Sequence, residues 1–286
     1  MIVGWCTVLA IIIWGLVIDR GIVAWLNRRC DQPFRDGTDF LLSGILPALA
    51  IAGGAATVLG AFHGLRWEIV LPIVAVSMIW RWRDLVAVLH DLGPLFRKIG
   101  AETKSGNPVP VLAALTCTVL CYVWSVVALF PSGVADVWVF HIPLANSIIE
   151  HAGFVSPQID HPFYGNIPLF FNLLFALVMM VSGHWTGAAI MNIAIFFGFL
   201  FLLSSCASRW RACGFFLVAA LILSTPFFRG SVGEPMTDLA RSCFSIAAVL
   251  FLWRYLDTRR PAELFHCALV LGERSEENTR NCRWLA

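Results

Sequence analysis

Acids and imidazoles gather in one stretch of the chain. No Lys or Arg occurs between Pro131 and Trp185, yet the interval holds Asp136, His141, Glu150, His151, Asp160, His161 and His184. A second turn, Arg229 to Asp238, carries Glu234 and Asp238. A carboxylate such as Asp136, set beside a hydroxyl, can take its proton as the oxygen attacks a carbon centre, which is general-base catalysis. Glu234 and Asp238 would orient the attacking group or an ion. Arg229 can meet a developing phosphate charge, as can the N–H groups of a helix that begins near Pro143 and is ended by Gly153. Asp136 and Asp238 also read as caps of the helices that follow them, and Arg229 as an interfacial anchor. Trp138, Phe140, Phe163 and Tyr164 offer faces for a sugar ring, and equally form the aromatic belt of a membrane interface. His141, His151 and His161 recur ten residues apart, wider than the i, i+4 spacing of a helical zinc pair, so zinc is the weaker reading.

What must position these groups follows from composition. The 286 residues are 59% hydrophobic and only 13% charged, and the mean hydropathy is +0.78, too much apolar surface for a soluble core. The expected class is all-α and polytopic in a membrane. No basic patch suited to nucleic acid is visible. Nine Cys are scattered, mostly in apolar runs, and imply no disulfide framework; Cys117 and Cys121 at i, i+4 read as helix packing before a soft metal site.

Apolar runs and the placement of Lys and Arg give the order of spans. Ile2 to Ile18 lacks a basic leader and a cleavage site, so it is read as a retained helix, running inward to Arg20, Arg28, Arg29 and Arg35 through an interfacial continuation, Gly21 to Leu26. Further spans are expected over Phe40 to Phe62, where Gly53 and Gly54 permit close helix contact, and over a short stretch from Trp67 to Trp80. A basic surface helix follows, Asp84 to Leu95, broken at Ser105 to Pro108 before a span from Val109 to Phe130. The run Ile167 to Ser182, about 16 residues, is ambiguous by length. If it crossed, Arg209, Arg211, Arg254, Arg259 and Arg260 would lie outside, so it is read as a juxtamembrane or re-entrant helix. Spans over Thr186 to Cys206, Ala212 to Phe228 and Leu239 to Trp253 complete about seven crossings. Both acidic turns then face outward. The chain divides into residues 1–108, with three spans and the basic segment; 109–260, with both acidic loops; and 261–286, a short apolar stretch and a charged tail.

The segment from Val109 to Arg260 resembles the GT-C class of integral-membrane glycosyltransferases. Asp136-Val-Trp-Val-Phe-His141-Ile-Pro143-Leu looks like the opening of the first outer loop in bacterial members, and Ser224-Thr-Pro226-Phe-Phe-Arg229 with Glu234-Pro-Met-Thr-Asp238 looks like their second acidic turn. Members often pair two adjacent acids in that loop, whereas Val137 follows Asp136 here, so a divalent ion stays open. The resemblance implies an inverting transferase at the outer face of the inner (cytoplasmic) membrane, with a polyprenyl-phosphate sugar as donor and a glycan, lipid or protein as acceptor. It also implies Asp136, Glu234 and Asp238 as catalytic, and His141, Arg229 and Tyr164 as substrate-binding. The alternatives are a transporter or flippase component, whose intramembrane charges would line a path, and a non-catalytic scaffold. The expected spans hold few ionisable residues in their middles, which favours surface chemistry. Pro261 to Gly272 is too short to span ~30 Å of hydrocarbon, and a charged tail follows. The chain is therefore expected to be an incomplete enzyme, ended by a frameshift or early stop.

Overall fold

The computed structural model describes residues 1–30, 37–104, 108–154, 169–207 and 231–272. Regular structure among them is helical throughout: α1 (Ile2–Arg29), α2 (Gly37–Ala61), α3 (Trp67–Trp80), α4 (Trp82–Lys104), α5 (Pro108–Val127), a π-helical turn (Val137–His141), α6 (Ile142–Glu150), α7 (Leu169–Ser182), α8 (Thr186–Ala207), α9 (Thr237–Thr258) and α10 (Pro261–Leu271). Among the described residues, α1, α2, α8 and α9 are long and apolar enough to cross a membrane, which makes this a helical membrane protein. The expected span Ala212 to Phe228 lies outside the described residues.

The helices α1, α8 and α9 run one way and α2 the other, which gives the bundle two ends. At the upper end, where α1 starts, the Trp5 indole donates to Ser125 of α5. Gly4 abuts Ile190 and Gly187 of α8 there, and the Phe154 amide donates to Gly60 of α2. The lower end gathers Arg20 and Asp91 in an ion pair, and Arg254 between Asp39 and Glu263. Among the described residues, basic side chains concentrate below, with Arg66 and Arg241 as exceptions on the upper half. The C-terminal end of α7 lies at the upper end, where Gly187 packs on Val178 and Ser182.

The core explains the helix contacts. Phe170, Phe171 and Phe244 stack edge to face where α7 meets α9. Gly53 is the place where α2 accepts the Phe170 ring, whereas Gly54 faces open space. At Gly15, a Cβ would overlap the Ala48 carbonyl, so glycine lets α1 and α2 touch backbone to backbone. Residues 1–108 and 109–260 share this core.

Several local expectations are corrected. The first helix does not stop near Ile18: it runs through Arg29, because Gly21, Val23 and Asn27 are buried against neighbours, with the Arg81 side chain over Gly21. An acid lies within α1, just beyond the expected end of its apolar run. Asp19 of α1 and His266 of α10 pair at 2.9 Å and are essentially inaccessible. This pairing also shows how an 11-residue helix is held, with Ala262, Cys267 and Val270 packed beside it.

Candidate functional site

The first loop begins with helix, not with an extended strand. Asp136 already has helical dihedrals (φ −58°, ψ −31°), and the π-helical turn over Val137–His141 runs straight into α6. π turns inside helices recur at functional sites, because the extra residue turns side chains out of register. The Ile142 amide is bonded to the Val137 carbonyl. No free N-terminus therefore opens near Pro143, which corrects the expected phosphate cradle there. Asp136 makes no capping hydrogen bond, so the capping reading has no support.

The end of α6 is a Schellman motif. The Gly153 and Ala152 amides donate to the Ile148 and Ile149 carbonyls. The left-handed residue is Ala152 (φ 57°), not Gly153. Glycine is needed at Gly153 because a Cβ there would strike the Gly60 carbonyl. With the Leu65 amide donating to Ala152, the α2–α3 turn and the loop are stitched together. That contact fixes the height of α6 against α2.

His141 occupies the centre of the site and is 8% exposed. Its Nδ1 lies 3.2 Å from Oδ1 of Asn172, a fully buried side chain on α7. Burial pushes the imidazole below the ordinary histidine range; the Asn172 hydrogen bond and then the charges of Asp238 and Asp136 act in the opposite direction. Asp136 from the first loop and Asp238 from the second turn therefore stand close enough to act on one ring. Both carboxylates are exposed, so the ring is the dry member of a wet cluster.

The second turn is held from inside the bundle. Nδ2 of Asn192, a fully buried residue of α8, donates to the backbone carbonyls of Glu234 and Met236. Met236 is the N-cap position of α9, and Asp238 falls in its first turn. Asp238 is thus not the cap, and its charge is favourably placed near the helix N-terminus. Glu234 is positioned through its backbone, and its carboxylate is not among the groups acting on His141.

An aromatic rim borders the cluster. Trp138 donates from its indole nitrogen to Ser132 and meets Trp185 edge to face at 5.3 Å, while His184 tilts against Trp185 at 5.5 Å. His151 turns back on its own helix, with Nδ1 2.9 Å from the Ser147 carbonyl. Among the described residues, no three side chains of His, Cys, Asp or Glu converge as a metal site. Arg229, Tyr164, Phe163, Asp160 and His161 lie outside the described residues.

Asn172 and Asn192, which hold the candidate site from inside the bundle, were missed by motif reading. A signal was present: each is an amide inside an otherwise apolar helix, where a polar side chain is costly unless something bonds it. No family model, curated protein or solved structure matches this chain.

Proposed function

We propose that the chain is a multi-pass glycosyltransferase of the inner (cytoplasmic) membrane, with about seven spans, that moves a sugar from a lipid-phosphate carrier to an acceptor at the outer face. One arrangement supports the reading: His141, buried and within hydrogen-bond distance of Asn172, feels the charges of Asp136 and Asp238, acids from segments a hundred residues apart in sequence. Such a cluster suits removal of a hydroxyl proton during attack on an anomeric carbon. The lipid-borne donor follows from location, because no nucleotide-sugar pool exists outside the cytoplasm. Trp138 and Trp185 give a sugar ring an apolar face beside the acids. Glu234 sets the shape of the acceptor side through its turn, and Arg229 and Tyr164 are assigned to donor binding by sequence position.

The test is incubation of the protein in membranes with radiolabelled polyprenyl-phosphate sugar. Label appearing on a new acceptor supports transfer. A transporter reading draws on the buried Asp19–His266 pair, since ionisable groups inside a membrane often mark ion or substrate paths. Label that crosses the bilayer while still on its carrier would favour that second reading.

A further inference from the structure

We infer that His141, rather than Asp136, takes the acceptor's proton, with Asn172 as its positioning residue and Asp136 and Asp238 stabilising the imidazolium formed. This rests on the transfer reaction proposed above. The geometry decides between the two candidates. An amide oxygen only accepts, so Nδ1, 3.2 Å from Oδ1 of Asn172, carries the hydrogen and Nε2 carries the lone pair. Nε2 makes no hydrogen bond among the described residues, and the residue is 8% exposed, so the ring is largely shielded from bulk water. A base held by a third group in this way has the arrangement of known nucleophile–base–orienter sets. Asp136 has no such holder. It is exposed, with no side-chain capping hydrogen bond to fix it.

The step balances without a further reactant. The acceptor oxygen forms a bond to the anomeric carbon as the bond from that carbon to the carrier phosphate breaks. The electron pair leaves with the phosphate, and the acceptor proton passes to Nε2. The charged groups facing the ring are Asp238 of α9 and Asp136 of the first loop, and the polar group from α7 is Asn172. Both carboxylates favour the imidazolium that the step creates.

The experiment uses the full chain in lipid nanodiscs, with undecaprenyl-phosphate glucose or mannose as donor and octyl glucoside as acceptor. Rates are measured against pH for the wild type and for His141→Gln, Asp136→Asn and Asn172→Leu. His141→Gln is expected to lose at least ~100-fold and to lose the acid limb of the profile. Asp136→Asn is expected to stay within about tenfold, with its acid limb moved to lower pH because a charge favouring the protonated ring is gone. If Asp136→Asn is inactive and His141→Gln is not, Asp136 is the base: the inference is overturned and the transfer reading stands. If the wild type transfers neither sugar, the transfer reading fails and its base fails with it. Nitrogen-15 NMR of His141 checks the geometry independently of activity and of any folding defect in a variant. A proton on Nδ1 that Asn172→Leu releases is expected; a proton fixed on Nε2 overturns the inference.

Discussion

At the scale of single residues, the site turns on burial. Asp136 and Asp238 were legible from sequence because acids stand out in apolar surroundings, but their shared target was not. A hydrogen bond between residues 141 and 172 depends on how α6 meets α7. His141 also makes a stability prediction. Its folded-state value lies below the ordinary 6.5, so the unfolded chain binds the proton more readily. The contribution from burying the neutral ring is present in full above about pH 6.5 and is lost as pH falls through that range. Thermal unfolding in detergent from pH 8 to pH 5 should show a steeper loss for wild type than for His141→Gln. Equal slopes would mean that the ring is not held neutral. Asn192 gives a second prediction. Asn192→Leu removes both hydrogen bonds to the Glu234–Met236 turn and should cost about 1–3 kcal/mol, read as a lowered unfolding midpoint.

Among helices, apolar length set the expectations and polar contacts refined them. The boundaries of α3 and α8 were readable because each is a predominantly apolar run bounded by polar residues. The continuation of α1 was not, since Asp19 and Arg20 look like an interfacial end until His266 and Asp91 are brought opposite them. The Asp19–His266 contact should be strongly coupled. Asp19→Leu or His266→Leu alone leaves one buried polar partner unmatched and should cost about 3–5 kcal/mol, whereas the double substitution should cost less than either. Additive losses in unfolding midpoints would show that the two side chains do not depend on each other. At the α1–α2 contact, Gly15→Val forces a branched side chain against the Ala48 backbone and should destabilise by about 1–3 kcal/mol. A variant as stable as wild type would mean that the helices separate without cost.

For the whole molecule, the consequence is a sided bundle. The acid–imidazole cluster lies at the upper end and most of the described arginines at the lower end, so the positive-inside bias supports the proposed outward placement of the cluster. Ser132 and Ser231 sit in the two turns but are buried, so they would be poor reporters. Cysteines introduced at the exposed Ala135, Glu150 and His184 should react with an impermeant thiol reagent in intact cells, on a background free of reactive native Cys. Cysteines at Arg29 and Arg259 should react only after lysis. Labelling of the second group alone would reverse the orientation and place the cluster in the cytoplasm.

Sequence by itself determined the all-helical membrane class and most of the described helices, because both depend on local quantities: apolar length and helical period. It also marked Asp136, His141 and Asp238 as exceptional, since ionisable groups in an apolar chain are conspicuous whatever the fold. Tertiary structure decided which of them meet. Asn172 and Asn192 come from helices whose surroundings are apolar, and their purpose appears only when α7 and α8 are packed against the two acidic segments. The turn of α6, the left-handed Ala152 and the buried pair of Asp19 with His266 are decided in the same way. They depend on what a distant segment places nearby, and periodicity along one helix carries no information about its neighbour.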